Sequence, residues 1–94
     1  IAAMAEAYAL PVAPHDCTGP VLLTASVHLA MSCPNTLVQE VVRAFYYDWY
    51  GRLVTELPPI ENGTIRAPGG AALGTRLQPG VAQRKDARVK RSTL

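Results

Sequence analysis

Helical and extended stretches alternate through the first half of this 94-residue chain, and that alternation predicts an α/β fold with parallel strands. Two further features agree. One short apolar run ends on Pro14-His15, just ahead of a helix that starts at Pro20, and a second, Leu37-Val38, ends on Gln39-Glu40. Two consecutive strands would thus carry a histidine and a glutamate to one rim of a parallel sheet, the edge where open α/β sheets and barrels keep their chemistry.

Ile1 to Leu10 has helix-forming composition, with Ile1, Met4, Ala5 and Tyr8 on one face, and Pro11 ends it. No capping residue precedes Ile1 and no initiator Met stands there, so the chain is expected to begin inside a helix, as a fragment would. Pro11-Val12-Ala13 reads as a short buried strand whose pairing Pro14 limits, and His15 to Gly19 as a loop. Pro20 suits the first helical position. Val21 to Ser32 then form a helix that is apolar except for a stripe of Thr24, His28 and Ser32, expected to face solvent while the rest is covered. Pro34-Asn35 breaks it, and Leu37 to Val41 make the next strand.

Beyond Glu40 the character changes. Arg43 to Tyr50 gathers most of the aromatic residues and reads as a packing interface. Leu53 to Ile60 and Thr64 to Ala67 flank Asn62-Gly63, the strongest short hairpin signal, although Pro58-Pro59 weakens the first strand. Gly69 to Gly74 is expected to be a flexible loop without the spacing of a phosphate-binding motif, Pro79 to Arg84 a helical turn, and Ala87 to Arg91 a last strand.

The formal net charge is only +2 and 49% of residues are hydrophobic, which indicates a globular chain and argues against nucleic acid as its partner. The basic residues Arg84, Lys85, Arg88, Lys90 and Arg91 are interrupted by Asp86 and suit a solvated edge. Cys17 and Cys33 lack both the density of a disulfide scaffold and the paired spacing of a zinc site, so a reduced, cytoplasmic setting is expected. No apolar run is long enough to span a membrane.

By residue type His15 suits general acid-base work, while a glutamate beside an anionic substrate suits hydrogen bonding to it. By type alone, a histidine ahead of a helix is more often a loop hydrogen-bonder, and a glutamate at a strand end a solvated terminus. Asp16 and Thr18 lie near enough to line a substrate pocket, or to satisfy the free amides of the helix that follows. Cys17 beside His15 finds no other support as an acyl-transfer nucleophile, a His15/Asp16/Cys17 metal site is weaker still, and His28 on its exposed stripe is expected to be inert.

The ordered set Pro14-His15, apolar helix, Pro34-Asn35, Gln39-Glu40, Asn62-Gly63, Leu73-Gly74 and Asp86-Ala87-Arg88-Val89 resembles the C-terminal end of the mandelate racemase and muconate lactonizing branch of the enolase superfamily. Within it the chain is most similar to acid-sugar dehydratases such as the galactonate dehydratases. The resemblance implies the C-terminal piece of a modified TIM barrel, with residues 1–44 as its last βα units and residues 45–94 as a segment packing on the barrel and completing an α+β capping domain. It implies His15 as acid/base at the end of the seventh strand and Glu40, at the end of the eighth, as hydrogen-bond partner of the substrate carboxylate opposite a magnesium ion. Asp16 and Thr18 would be substrate-binding. The magnesium ligands, the Lys-containing base motif and the aspartate that orients the histidine would lie outside this chain. The implied partners are a sugar-acid substrate and the rest of a homo-oligomeric enzyme, and these 94 residues alone are expected to be inactive. Ala71-Ala72-Leu73-Gly74 departs from the family's Pro-Gly-Leu-Gly. A racemase or epimerase of the same branch would use the same two residues. A small α+β interaction module using Phe45 to Tyr50 is the non-enzymatic alternative.

Overall fold

A computed structural model of the chain describes residues 1–93; Leu94, the end of the second expected segment, lies outside them. The elements are helices α1 (Ala2–Ala7), α2 (Pro20–Ser32) and α3 (Arg43–Asp48), a 3-10 turn at Tyr50–Arg52, strands β1 (Ile60–Glu61) and β2 (Thr64–Ile65), and a second 3-10 turn at Val81–Gln83. The content is mixed helix and strand, with far less strand than the sequence led us to expect.

α1 ends earlier than Pro11 requires. Ala9 takes a left-handed conformation (φ 54°), and the Ala9 and Leu10 amides bond back to Glu6 and Ala5 respectively. This is the hydrogen-bond pattern of a Schellman cap, built here on alanine rather than the usual glycine. α2 starts at Pro20 as the proline dictates, with Gly19 as N-cap. Neither Asp16 nor Thr18 caps it, a correction to one reading of those residues; Asp16 has a different partner.

The two expected parallel strands reduce to a single parallel bridge, Val12 with Thr36. Its bonds run from Val12 N to Asn35 O and from Leu37 N to Val12 O, both at 2.9 Å, and farther along from Glu40 N to Pro14 O at 3.2 Å. Pro11 and Pro14 have no N–H to offer, and a parallel pair without flanking strands has little to extend it. The direction of pairing is nevertheless the expected one.

The Asn62-Gly63 hairpin forms with Ile60 opposite Ile65 and Glu61 opposite Thr64. Both turn residues have positive φ (50° and 75°), as the tight twist of a two-residue turn demands. Its strands are short because Pro58-Pro59 interrupts the first. Residues ahead of the prolines pair elsewhere, Val54 bridging antiparallel to Leu77. The turn at Val81–Gln83 agrees with the expected one, whereas Ala87 to Arg91 forms no strand: Arg84 grips Asp86 with two hydrogen bonds of 2.9 and 2.8 Å, and no strand edge lies alongside.

The core joins the two halves of the chain. Leu23, Val27 and Tyr50 are fully buried, and Val41, Phe45, Tyr46, Trp49, Leu57, Ile65 and Ala67 pack around them. The aromatic rings meet edge to face, Trp49 against Tyr50 at 4.6 Å and 87°. The stripe on α2 departs from expectation at Thr24 and His28, while Ser32 faces solvent as expected. Thr24 is fully buried with its hydroxyl donating to Pro20 O, and half-buried His28 bonds Leu73 O at 3.1 Å, while Val21, Leu22 and Leu29 are exposed. Carbonyls within reach satisfy the polar groups inward. The chain is open: its radius of gyration is 15.0 Å, against about 12 Å for a compact domain of this length.

Candidate active site

The bridge between Val12 and Thr36 sets two chain segments side by side, so that Pro14 and Glu40 come level and both segments end at one rim. Gln39 ties that rim together, its Nε2 donating to Pro14 O at 3.2 Å and to Glu40 O at 2.8 Å. From this frame the His15 and Glu40 side chains converge. Nδ1 of His15 contacts Oε2 of Glu40, and the other ring nitrogen, Nε2, lies 3.0 Å from Sγ of Cys17. Both side chains are open to solvent, His15 at 67% and Glu40 at 46%, so a ligand at the rim can reach them.

Asp16 turns the opposite way. It is completely buried, and the hydroxyl of buried Tyr50 donates to its two carboxylate oxygens at 3.1 and 3.3 Å. Burial, and then the bond to Asp16, push the Tyr50 phenol up to about 12, so the hydroxyl stays a donor across the ordinary pH range. Thr18 is exposed and lines an apolar groove of about 260 Å³ with Pro20, Trp49, Leu53 and Leu77. Cys17 and Cys33 are both free thiols.

Two contributors were not singled out from the sequence. Gln39 was read only as part of the strand end, and Tyr50 only as one aromatic among several. Tyr50 lies 34 residues from Asp16, so nothing local in the chain announces the contact.

Chemically, a solvent-open imidazole with a carboxylate on one nitrogen and a thiol 3.0 Å from the other can accept or deliver a proton. A divalent hard cation is less well served. Among the described residues no three His, Cys, Asp or Glu side chains gather to hold an ion, and the His15, Cys17 and Glu40 set offers one carboxylate beside imidazole and thiol, not the oxygen cage magnesium takes. Among the described residues, no helix is long and apolar enough to cross a membrane.

A family model described as "Enolase C-terminal domain-like" matches residues 1–81. The chain is 35% identical over 77 residues to a D-xylonate dehydratase of Haloferax volcanii, covering 82% of this chain and 18% of that protein. It is 35% identical over 79 residues to a D-galactonate dehydratase of Ralstonia pickettii, covering 79% and 21%. Among solved structures, an enolase of the mandelate racemase subgroup from Agrobacterium tumefaciens superimposes with a TM-score of 0.78 at 57% identity, over 88% of this chain and 22% of that one. The chain thus spans about a fifth of the length of the curated relatives it matches.

Proposed function

The chain belongs to the enolase C-terminal domain-like family, and from that premise we propose that it is the C-terminal part of a sugar-acid dehydratase, a lyase that removes water from a 2-hydroxy carboxylate. Residues 1–44 would supply the last βα units of its barrel, and residues 45–94 the segment that packs on the barrel and completes the cap. The observation that carries this reading is the convergence of exposed His15 and Glu40 at one rim, in a chain whose curated relatives are acid-sugar dehydratases.

The magnesium ion of this proposal would be held by carboxylates outside the chain, since the residues present do not fit it. When bound, such an ion supplies charge stabilisation for the substrate carboxylate. A base outside this chain would take the α-proton. Protonated His15 donates from Nδ1 to Glu40, and its Nε2–H, beside Cys17 Sγ, would turn to the rim and deliver its proton to the departing β-hydroxyl, which leaves as water. Glu40 accepts from the imidazole through Oε2 and, carrying a proton on Oε1, would donate from there to the substrate carboxylate. Thr18 is exposed on the same loop and would touch substrate, whereas Asp16 faces inward. A racemase would use the same pair, reprotonating the α-carbon instead of expelling a hydroxyl. The dehydratase names of the curated relatives favour elimination.

The test is a panel of acid sugars, D-xylonate and D-galactonate first, offered to the intact enzyme. His15→Asn is expected to lower turnover by roughly 10²-fold, the usual share of a general acid or base. If the histidine serves only the leaving group, exchange of the α-proton with solvent survives the substitution. Glu40→Gln is expected to lower turnover while leaving magnesium affinity unchanged, because an amide still donates a hydrogen bond but more weakly. Near-normal dehydration by His15→Asn would sink the assignment.

A further inference from the structure

Tyr50 belongs to the aromatic segment of the second half of the chain, yet its hydroxyl bonds the residue next to His15. We infer that Tyr50 is a positioning residue for the loop from His15 to Thr18, acting through Asp16. The consequence for catalysis rests on the reading of His15 above; the positioning itself does not.

The argument begins from Asp16. A carboxylate with no exposed surface needs a partner, because an unpaired buried acceptor or charge is among the costliest defects a fold can carry. Among the described residues, the only side-chain hydrogen bonds to that carboxylate come from Tyr50. Tyr50 in turn has no freedom. It is fully buried, it packs with Leu23 and Val27 of α2, and its ring stands edge-on to Trp49 at 4.6 Å. One immobile hydroxyl therefore fixes one immobile carboxylate in the middle of an otherwise exposed loop. His15 precedes Asp16 and Cys17 follows it, and both are exposed, so the inward pull at Asp16 leaves its two neighbours at the rim. The 3.0 Å approach of His15 Nε2 to Cys17 Sγ across Asp16 is a product of that arrangement.

That approach also supplies a readout independent of turnover. An imidazole within hydrogen-bond reach of a thiol can take its proton as the sulfur attacks an alkylating agent, and the 3.0 Å contact puts His15 Nε2 in that place for Cys17. The intact enzyme is treated with iodoacetamide, and the alkylation rates of Cys17 and Cys33 are followed by mass spectrometry of their peptides. In Tyr50→Phe, which keeps the ring in the core and removes only the donor, the Cys17 rate is expected to fall at least about three-fold. Cys33, outside the loop, keeps its rate and controls for general loosening, which would raise both. Asp16→Asn retains an acceptor for Tyr50 and is expected to stay within about two-fold of the parent. Should Tyr50→Phe not fold, Asp16→Ala breaks the same bond from its other end and is expected to show the same fall.

Kinetics with the acid sugar that the parent dehydrates complete the test. Tyr50→Phe is expected to lose about ten-fold in kcat with KM within about two-fold, and to add nothing further in a His15→Asn background. An unchanged Cys17 rate in Tyr50→Phe or Asp16→Ala overturns the inference. A changed rate with unchanged kcat upholds the positioning and overturns the catalytic reading of His15 instead.

Discussion

The two faces of α2 differ in a way residue type alone would not suggest. The face turned to the aromatic segment holds Leu23 and Val27, but also Thr24, Ser26 and His28; the opposite face presents Val21, Leu22 and Leu29 to solvent. What separates them is the availability of partners. On the inner face the Thr24 hydroxyl reaches Pro20 O and His28 reaches Leu73 O, so both polar groups enter with a hydrogen bond. On the outer face Val21 and Leu22 border an apolar groove with Trp49, Leu53 and Leu77, and Leu29 borders another with Ile1 and Val12, but all three stay exposed. A helix covered fully on one side and only bordered on the other leaves an exposed apolar patch, which favours association.

The largest effect expected from this contrast lies in its inner half. Leu23→Ala removes a fully buried side chain from the cluster with Val27 and Tyr50, and is expected to cost about 2–5 kcal/mol in urea unfolding of the chain. Tyr50 gives the next largest, read through pH. Its phenol titrates at about 12 when folded, and near 10 when unfolded, so the folded state holds the proton more tightly. The resulting stability is whole below pH 10 and is lost as pH rises through about 12, amounting to roughly 2–3 kcal/mol at most. Unfolding midpoints of the parent should therefore fall across that interval, and those of Tyr50→Phe should fall less. The smallest effect belongs to the outer half. Replacing Leu22 and Leu29 together by Glu is expected to change unfolding by no more than about 0.5 kcal/mol, while light scattering on a sizing column shows the 94 residues shifting towards monomer. A loss of several kcal/mol from the outer pair would erase the distinction between the faces.

Local signals were read correctly where a single residue type dictates conformation. Pro20 opens α2, Asn62-Gly63 turns the hairpin, and residues after Pro79 make one helical turn, because each depends on the backbone of its own neighbours. His15 and Glu40 were also legible, as the ends of two apolar runs that meet at one rim. The strands were legible in direction but not in extent, since a parallel pair gains regularity from flanking strands and this one has a single bridge. The partner of Asp16 and the inward turn of His28 depend on segments far along the chain, Tyr50 and Leu73, and periodicity carries no record of them. Ala87 to Arg91 alternates like an edge strand yet finds no edge to join.

The prolines beside the parallel bridge have one more consequence. Between positions 11 and 14 only Val12 and Ala13 own an amide hydrogen, and Val12 already spends its own on Asn35 O. A slide that set Pro11 in the place of Val12 would ask a proline nitrogen to donate, and a slide by one residue in either direction would turn alternate side chains to the other side of the pair. Glu40 would then point away from His15. Pro11 and Pro14 thus act like the wards of a lock: neither can donate a backbone bond, although Pro14 O accepts from Glu40 N and from Gln39 Nε2, and they obstruct alignments other than the one in which the imidazole and the carboxylate meet.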